Sequence, residues 1–238
     1  MRAGRPAIWM CALPLLAACS HTGTYPAPNQ GMSASSVMKT DIDRVLEAQQ
    51  LEIFASLKRI AEKLYRRNPR EYRRAGYDSV DAALERLFTP EHNWRLAEFG
   101  DKRGTEMIVA AFRDDFSGDR VAAYIAGLGG MIRTAYQDRT ELFVMDDLDP
   151  QALYNAARNV EIAIWRLSNK RDAGGQLFLL SNAGRGNEGE PANLSYEREF
   201  GKIIAHLDFA STLVADKNHR VVVRVVQTLA TAVLLPVH

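Results

Sequence analysis

Asp114, Asp115 and Asp119, within Asp114-Asp115-Phe116-Ser117-Gly118-Asp119, are residues whose type and spacing could do chemistry. Asp146 and Asp147, within Asp146-Asp147-Leu148-Asp149, form a second such group. Calcium and magnesium take oxygen ligands, so the two groups brought together could hold a cation and assist a hydrolysis. A simpler account needs no metal. Ser117 and Asp149 would cap the helices that follow, and the neighbouring acids would sit in first turns, where the helix dipole favours negative charge.

Opposite charge is concentrated earlier. Lys58, Arg59, Lys63, Arg66, Arg67, Arg70, Arg73 and Arg74 place eight cations against Glu62 and Glu71 in 17 residues. Such a block could meet an acidic partner or lie on anionic headgroups, with Tyr65 and Tyr72 at the interface. The plainer reading is that Arg66 and Arg67 suit a helix C-terminus and the rest form a solvated face. From 138 to 149 five acids face only Arg139, an asymmetry that could steer a complementary partner or be satisfied within the fold.

Other catalytic signatures are missing. The chain has no GxSxG, HExxH or P-loop pattern. Gly184-Arg185-Gly186-Asn187-Glu188-Gly189 matches GxGxxG in spacing, but Pro191 and further residues intervene before the next helix, so it reads as a loop. His92, His206 and His219 are isolated and read as structural. No cofactor is implied. With 30 Lys and Arg against 29 Asp and Glu, the balance of +1 argues against a protein that works by coating nucleic acid.

The elements that must position these residues are helical. Thr40 with Asp43 has the form of a capping box, and Leu46, Gln50, Ile53, Leu57, Ile60 and Leu64 follow at four-three spacing as one buried stripe. That helix should stop near Asn68-Pro69. Shorter helices are expected near 78–88, 90–99 and 105–116, with Thr89-Pro90 and Asp149-Pro150 as starts. Val121–Ile132, uncharged and containing Gly127, Gly129 and Gly130, reads as a buried central helix whose small residues admit a close neighbour. Leu153, Ala157, Val160, Ile164 and Leu167 mark another helix, and Tyr196 to Val214 a further one starting at Ser195. His219 to Leu235 reads as a final, mostly buried helix, and Gln176–Ser181 as a strand or a buried extended piece. The expected fold is all-α: a single bundle of about seven to eight helices over residues 38–238, with one Gly-rich loop.

The N-terminus carries a different kind of signal. Arg2 and Arg5 precede the short apolar run Ala7 to Leu16, and small residues follow, as in an export signal too short to span a bilayer. Leu16-Ala17-Ala18-Cys19 resembles the lipobox of the bacterial lipoprotein class. The resemblance implies cleavage of residues 1–18, acylation of Cys19 and, with Ser20 following, forwarding to the outer membrane. It covers the signal alone. Cys11 would leave with the signal and Cys19 would carry lipid, so the mature chain keeps no thiol for a disulfide. Loss of Arg2 and Arg5 leaves 28 basic residues against 29 acidic ones, a net −1. Residues 19–37 then form a lipidated, Ser-, Gly- and Pro-containing tether of roughly 20–25 Å reach. The leading expectation is an outer-membrane-anchored periplasmic module that binds or assembles envelope components without catalysis, its partners the bilayer and an envelope protein, not nucleic acid. The alternatives are a cation-assisted hydrolase of envelope polymer or lipid, and an anionic-surface binder.

Overall fold

The computed structural model describes residues 39–100, 102–182, 194–219, 222 and 233–238. The signal, Cys19, the tether and the loop at 184–189 lie outside the described residues.

Seven α-helices occur among the described residues: α1 (Asp41–Arg67), α2 (Pro69–Arg74), α3 (Val80–Leu87), α4 (Thr105–Ala110), α5 (Arg120–Ala135), α6 (Pro150–Asn169) and α7 (Ser195–Asn218). No sheet forms there. Gln176–Ser181 supplies only an isolated bridge, Leu177 to Arg171, and tucks Phe178 and Leu179 into the core. The fold is therefore an all-α bundle.

Helix α1 begins as its sequence requires. The Asp43 N–H donates to Thr40 Oγ1 at 3.2 Å, and the Thr40 N–H donates to Asp43 Oδ2 at 2.8 Å. The stripe from Leu46 to Leu64 is buried and faces α5 and α7. At its end Pro69 occupies the first turn of α2, a helix that the Asn68-Pro69 pair could have announced just as Asp149-Pro150 announces α6. Helix α6 lies along α7, and α7 along α1.

Helix α5 runs through the centre. Nearly every residue from Arg120 to Ile132 is buried, and the helix is unbroken across its three glycines. Close packing explains them. A Cβ on Gly127 would lie 2.8 Å from the Ile108 backbone nitrogen and 2.9 Å from the Gly104 oxygen, so α4 touches α5 backbone to backbone.

Three expectations need correction. Residues 90–99 form no continuous α-helix: short 3-10 helices at Pro90–His92 and Ala97–Phe99 flank Asn93 and Trp94, whose φ values are 42° and 62°. The left-handed pair swings the Trp94 indole onto Gly129, between Phe54 and Phe88. The helix expected over 105–116 ends at Ala110, and its successor is capped by Asp119 rather than Ser117. Of the expected final helix, residues 220, 221 and 223–232 lie outside the described set, while Val233–Leu235 are not helical. There the buried Asn159 amide replaces a strand partner, donating to Leu235 O at 2.8 Å and accepting from Leu235 N at 2.6 Å.

Candidate functional site

Asp119 ends a loop and starts a helix. Its Oδ1 accepts from the Ala122 N–H at 2.9 Å, which caps α5. Its Oδ2 accepts from the Tyr65 hydroxyl of α1 at 2.9 Å. Both residues are buried, Asp119 at 4% exposure and Tyr65 at 1%. The pair sits at a cavity of about 360 Å³, between α1, α3, the turn at Ala97–Phe99 and the start of α5. Apolar walls come from Ala83, Leu87, Leu96 and Phe99, while Arg74, Tyr77, Arg86 and Glu98 add polar groups. This size and mixed lining are typical of small-molecule sites.

The electrostatics are lopsided. No cation of the described residues comes within 4.0 Å of Asp119 as an ion pair. Burial pushes its carboxyl up to about 6, against the Ala122 and Tyr65 hydrogen bonds that favour the charged form, and the nearby Glu71 charge adds to the rise. The same burial drives the Tyr65 hydroxyl far above its ordinary value. A carboxyl raised on folding stabilises fully below its unfolded value of 3.8, and that contribution is lost as pH climbs through about 6. That displacement is worth about 3 kcal/mol. Glu199 has the opposite sign. Burial would raise it, but Arg59 and Lys202 outweigh burial and hold it at about 2, so its contribution is present above about 4.5 and lost toward 2. Asp119→Asn, which keeps a good capping side chain, should therefore flatten the fall in stability between pH 4.5 and 7. Urea titrations of both chains across that range check this, and parallel profiles would contradict it.

The remaining acids do not join Asp119. Asp115 pairs with Arg113 at 2.7 Å on the surface, and Asp114 accepts from the Ala173 N–H at 3.1 Å. Asp146 pairs with Arg139 and accepts from the Phe143 N–H, and Asp147 binds Asn218. Asp119 stands at the N-terminus of α5, whereas Gln137, just beyond its C-terminus, donates to the Asp147 carbonyl. The 16 residues of α5 rise about 24 Å, so the two groups lie at opposite ends of one helix. Among the described residues no group of three or more His, Cys, Asp or Glu is placed to hold a metal. The two-segment cation site expected as an alternative is not assembled.

The basic block is not a free face. Arg59 pairs with Glu199 at 2.7 Å, Lys63 donates to Ser195 O at 3.1 Å, and Arg67 to Asn182 O at 3.1 Å, which tie α1 to α7 and to the segment before it. Arg66 pairs with Glu62 one turn away. Arg70 and Arg74 flank the buried Glu71 at 3.0 and 3.8 Å, while Lys58 and Arg73 lie over the rings of Phe88 and Tyr72. Tyr65 and Tyr72, expected at an interface, are buried edge to face. His92 is structural, accepting from the Trp94 N–H at 2.8 Å.

The sequence nominates Asp119 and Arg74 but in separate roles, and it does not mark Tyr65 as a site member or Glu71 as a buried charge beside it. Compared with family models, with curated proteins and with solved structures, the chain matches none.

Proposed function

We propose that this chain is a lipid-anchored module of the bacterial envelope, held at the outer membrane through Cys19, whose helical bundle binds a component of the periplasm rather than transforming it. The observation that carries the anchor is the run Leu16-Ala17-Ala18-Cys19-Ser20 after a short apolar segment, followed by a polar tether that leads to the capping box at Thr40. Several acyl chains on one cysteine make a durable anchor. No helix among the described residues is long and apolar enough to cross a membrane.

Binding is favoured over catalysis by the way the charged groups are used. Arg59, Lys63 and Arg67 tie α1 to α7 and to the segment before it, the acidic segments stand at opposite ends of α5, and the cavity at Asp119 is bordered by a buried carboxylate that has no cation in an ion pair with it. The anchor is tested on the natural product. Mass measurement should find a mature chain starting at an acylated Cys19, and Cys19→Ser should abolish both cleavage and membrane retention. An intact Met1, or an unmodified sulfur at position 19, would overturn the reading.

A further inference from the structure

We infer that the cavity between α1, α3 and the N-terminus of α5 binds a free α-amino acid with an apolar side chain, its ammonium on Asp119 and its carboxylate on Arg74. The inference deepens the binding reading above and does not depend on the anchor.

Three observations lead to it. The Asp119 carboxylate is almost fully buried, borders an open cavity and is met by neutral donors, the Tyr65 hydroxyl and the Ala122 and Val121 N–H groups, with no cation in an ion pair. A buried anion without a cation is costly, and a ligand ammonium would supply the missing charge. Second, a cation borders the same space beside it. Arg74 Nη1 donates to the carbonyl of Gly118, the residue immediately before Asp119, at 3.3 Å. The Arg74 guanidinium is only loosely engaged elsewhere, 3.8 Å from Glu71, and its side chain is 42% exposed, so donors remain for a ligand carboxylate. Arg86, the other arginine of the cavity, is by contrast paired with Glu98 at 3.1 Å. An α-amino acid carries its ammonium and carboxylate on one carbon, which matches the Asp119 anion and, from the end of α2, the Arg74 cation bonded to the carbonyl of the residue before Asp119.

The third observation concerns the body of the ligand. Ala83, Leu87, Leu96 and Phe99 give the cavity an apolar side, and its volume of about 360 Å³ lies at the lower end of the range for small-molecule sites. That favours a single residue such as leucine or phenylalanine over a long chain or a polymer. A bare cation would be repelled by Arg74 and a bare anion by Asp119, so the two charges together select a zwitterion.

Calorimetric titration of the purified full-length chain with L-leucine and L-phenylalanine, beside their N-acetyl and amide derivatives, tests the assignment. The free amino acids should bind. N-acetylation, which removes the ammonium, and amidation, which removes the carboxylate, should each weaken binding roughly ten- to hundred-fold, the loss expected for one hydrogen bond to a charged group. Asp119→Asn should abolish the preference for the free amine, and Arg74→Gln the preference for the free carboxylate. No binding of either amino acid at millimolar concentration would overturn the inference, as would N-acetyl derivatives binding equally well. The ligand series uses the unaltered protein, so it decides the matter even where a variant folds poorly. A chain that proves to be acylated yet ignores these ligands leaves the anchor standing and removes the site.

Discussion

Glu71→Ala should destabilise the bundle by about 3–5 kcal/mol, the loss typical of breaking a buried ionic arrangement from one side. The Glu71 carboxylate has no exposure and lies under two arginines. Its Oε1 accepts from Arg70 Nε at 3.0 Å, and its Oε2 from the Arg120 N–H at 2.9 Å. Arg120 is buried as well, its guanidinium donating to the carbonyls of Ala111, Arg113 and Phe116 and lying 4.6 Å above the Phe178 ring. Burial pulls Arg120 below the usual arginine range, and the Glu71 charge works against that pull. Removing Glu71 thus costs twice: the first turn of α5 loses an acceptor, and a buried guanidinium loses an anion whose charge supports it. Arg70 and Arg74, both substantially exposed, can turn to water and add little to the loss. Glu71→Gln keeps the acceptor for the Arg120 N–H and should cost clearly less than Glu71→Ala. Urea denaturation of the three chains at pH 7 measures the series. Equal stabilities for Glu71→Ala and the parent would show that the Arg120 charge is balanced elsewhere.

Arg120 also shows where the amino-acid sequence is legible and where it is not. Periodicity and caps are local, so α1, α6 and α7, the Thr40 box and the Asp149-Pro150 start follow from the chain alone. The partners of a charge are not local. Glu71 reads as a minor acid inside a basic block, yet it meets α5 across 49 residues, and Tyr65 meets Asp119 across 54. Asp119 was accessible as a residue type but not as half of a buried pair, because nothing in its own segment indicates which hydroxyl will be above it. The segment 90–99 fails for the same reason. Its local propensity favours helix, but the socket over Gly129 fixes Trp94 in a left-handed conformation, and the turns around it follow from that contact. Burial of the indole outweighs a backbone cost of roughly 1–2 kcal/mol per left-handed residue.

That socket yields the second large effect. Gly129→Ala should destabilise by about 2–3 kcal/mol, while the same change at Gly201 should stabilise by about 0.5–1 kcal/mol. Both glycines lie inside helices, where alanine is intrinsically better because it loses less backbone entropy. Space decides the sign. At Gly201, on the exposed side of α7, a Cβ meets nothing within 4 Å, so only the propensity gain remains. At Gly129 a Cβ would stand 2.4 Å from Cδ2 and Cε3 of Trp94, far inside contact distance. The indole cannot retreat easily, with Phe54 stacked at 5.4 Å, Phe88 edge-on at 5.2 Å and the Trp94 backbone N–H held by His92. Either the ring leaves its socket or α5 shifts, and overpacking of that kind costs more than the propensity returns. Urea midpoints of the two variants measure the signs, and a red shift of tryptophan emission in Gly129→Ala would report the displaced ring. Leu96 and Phe99 lie two and five residues after Trp94 and wall the cavity at Asp119, so the same substitution should also loosen amino-acid binding. A Gly129→Ala chain as stable as the parent would mean that Trp94 is not seated on α5, and the wall of the cavity would lose its support.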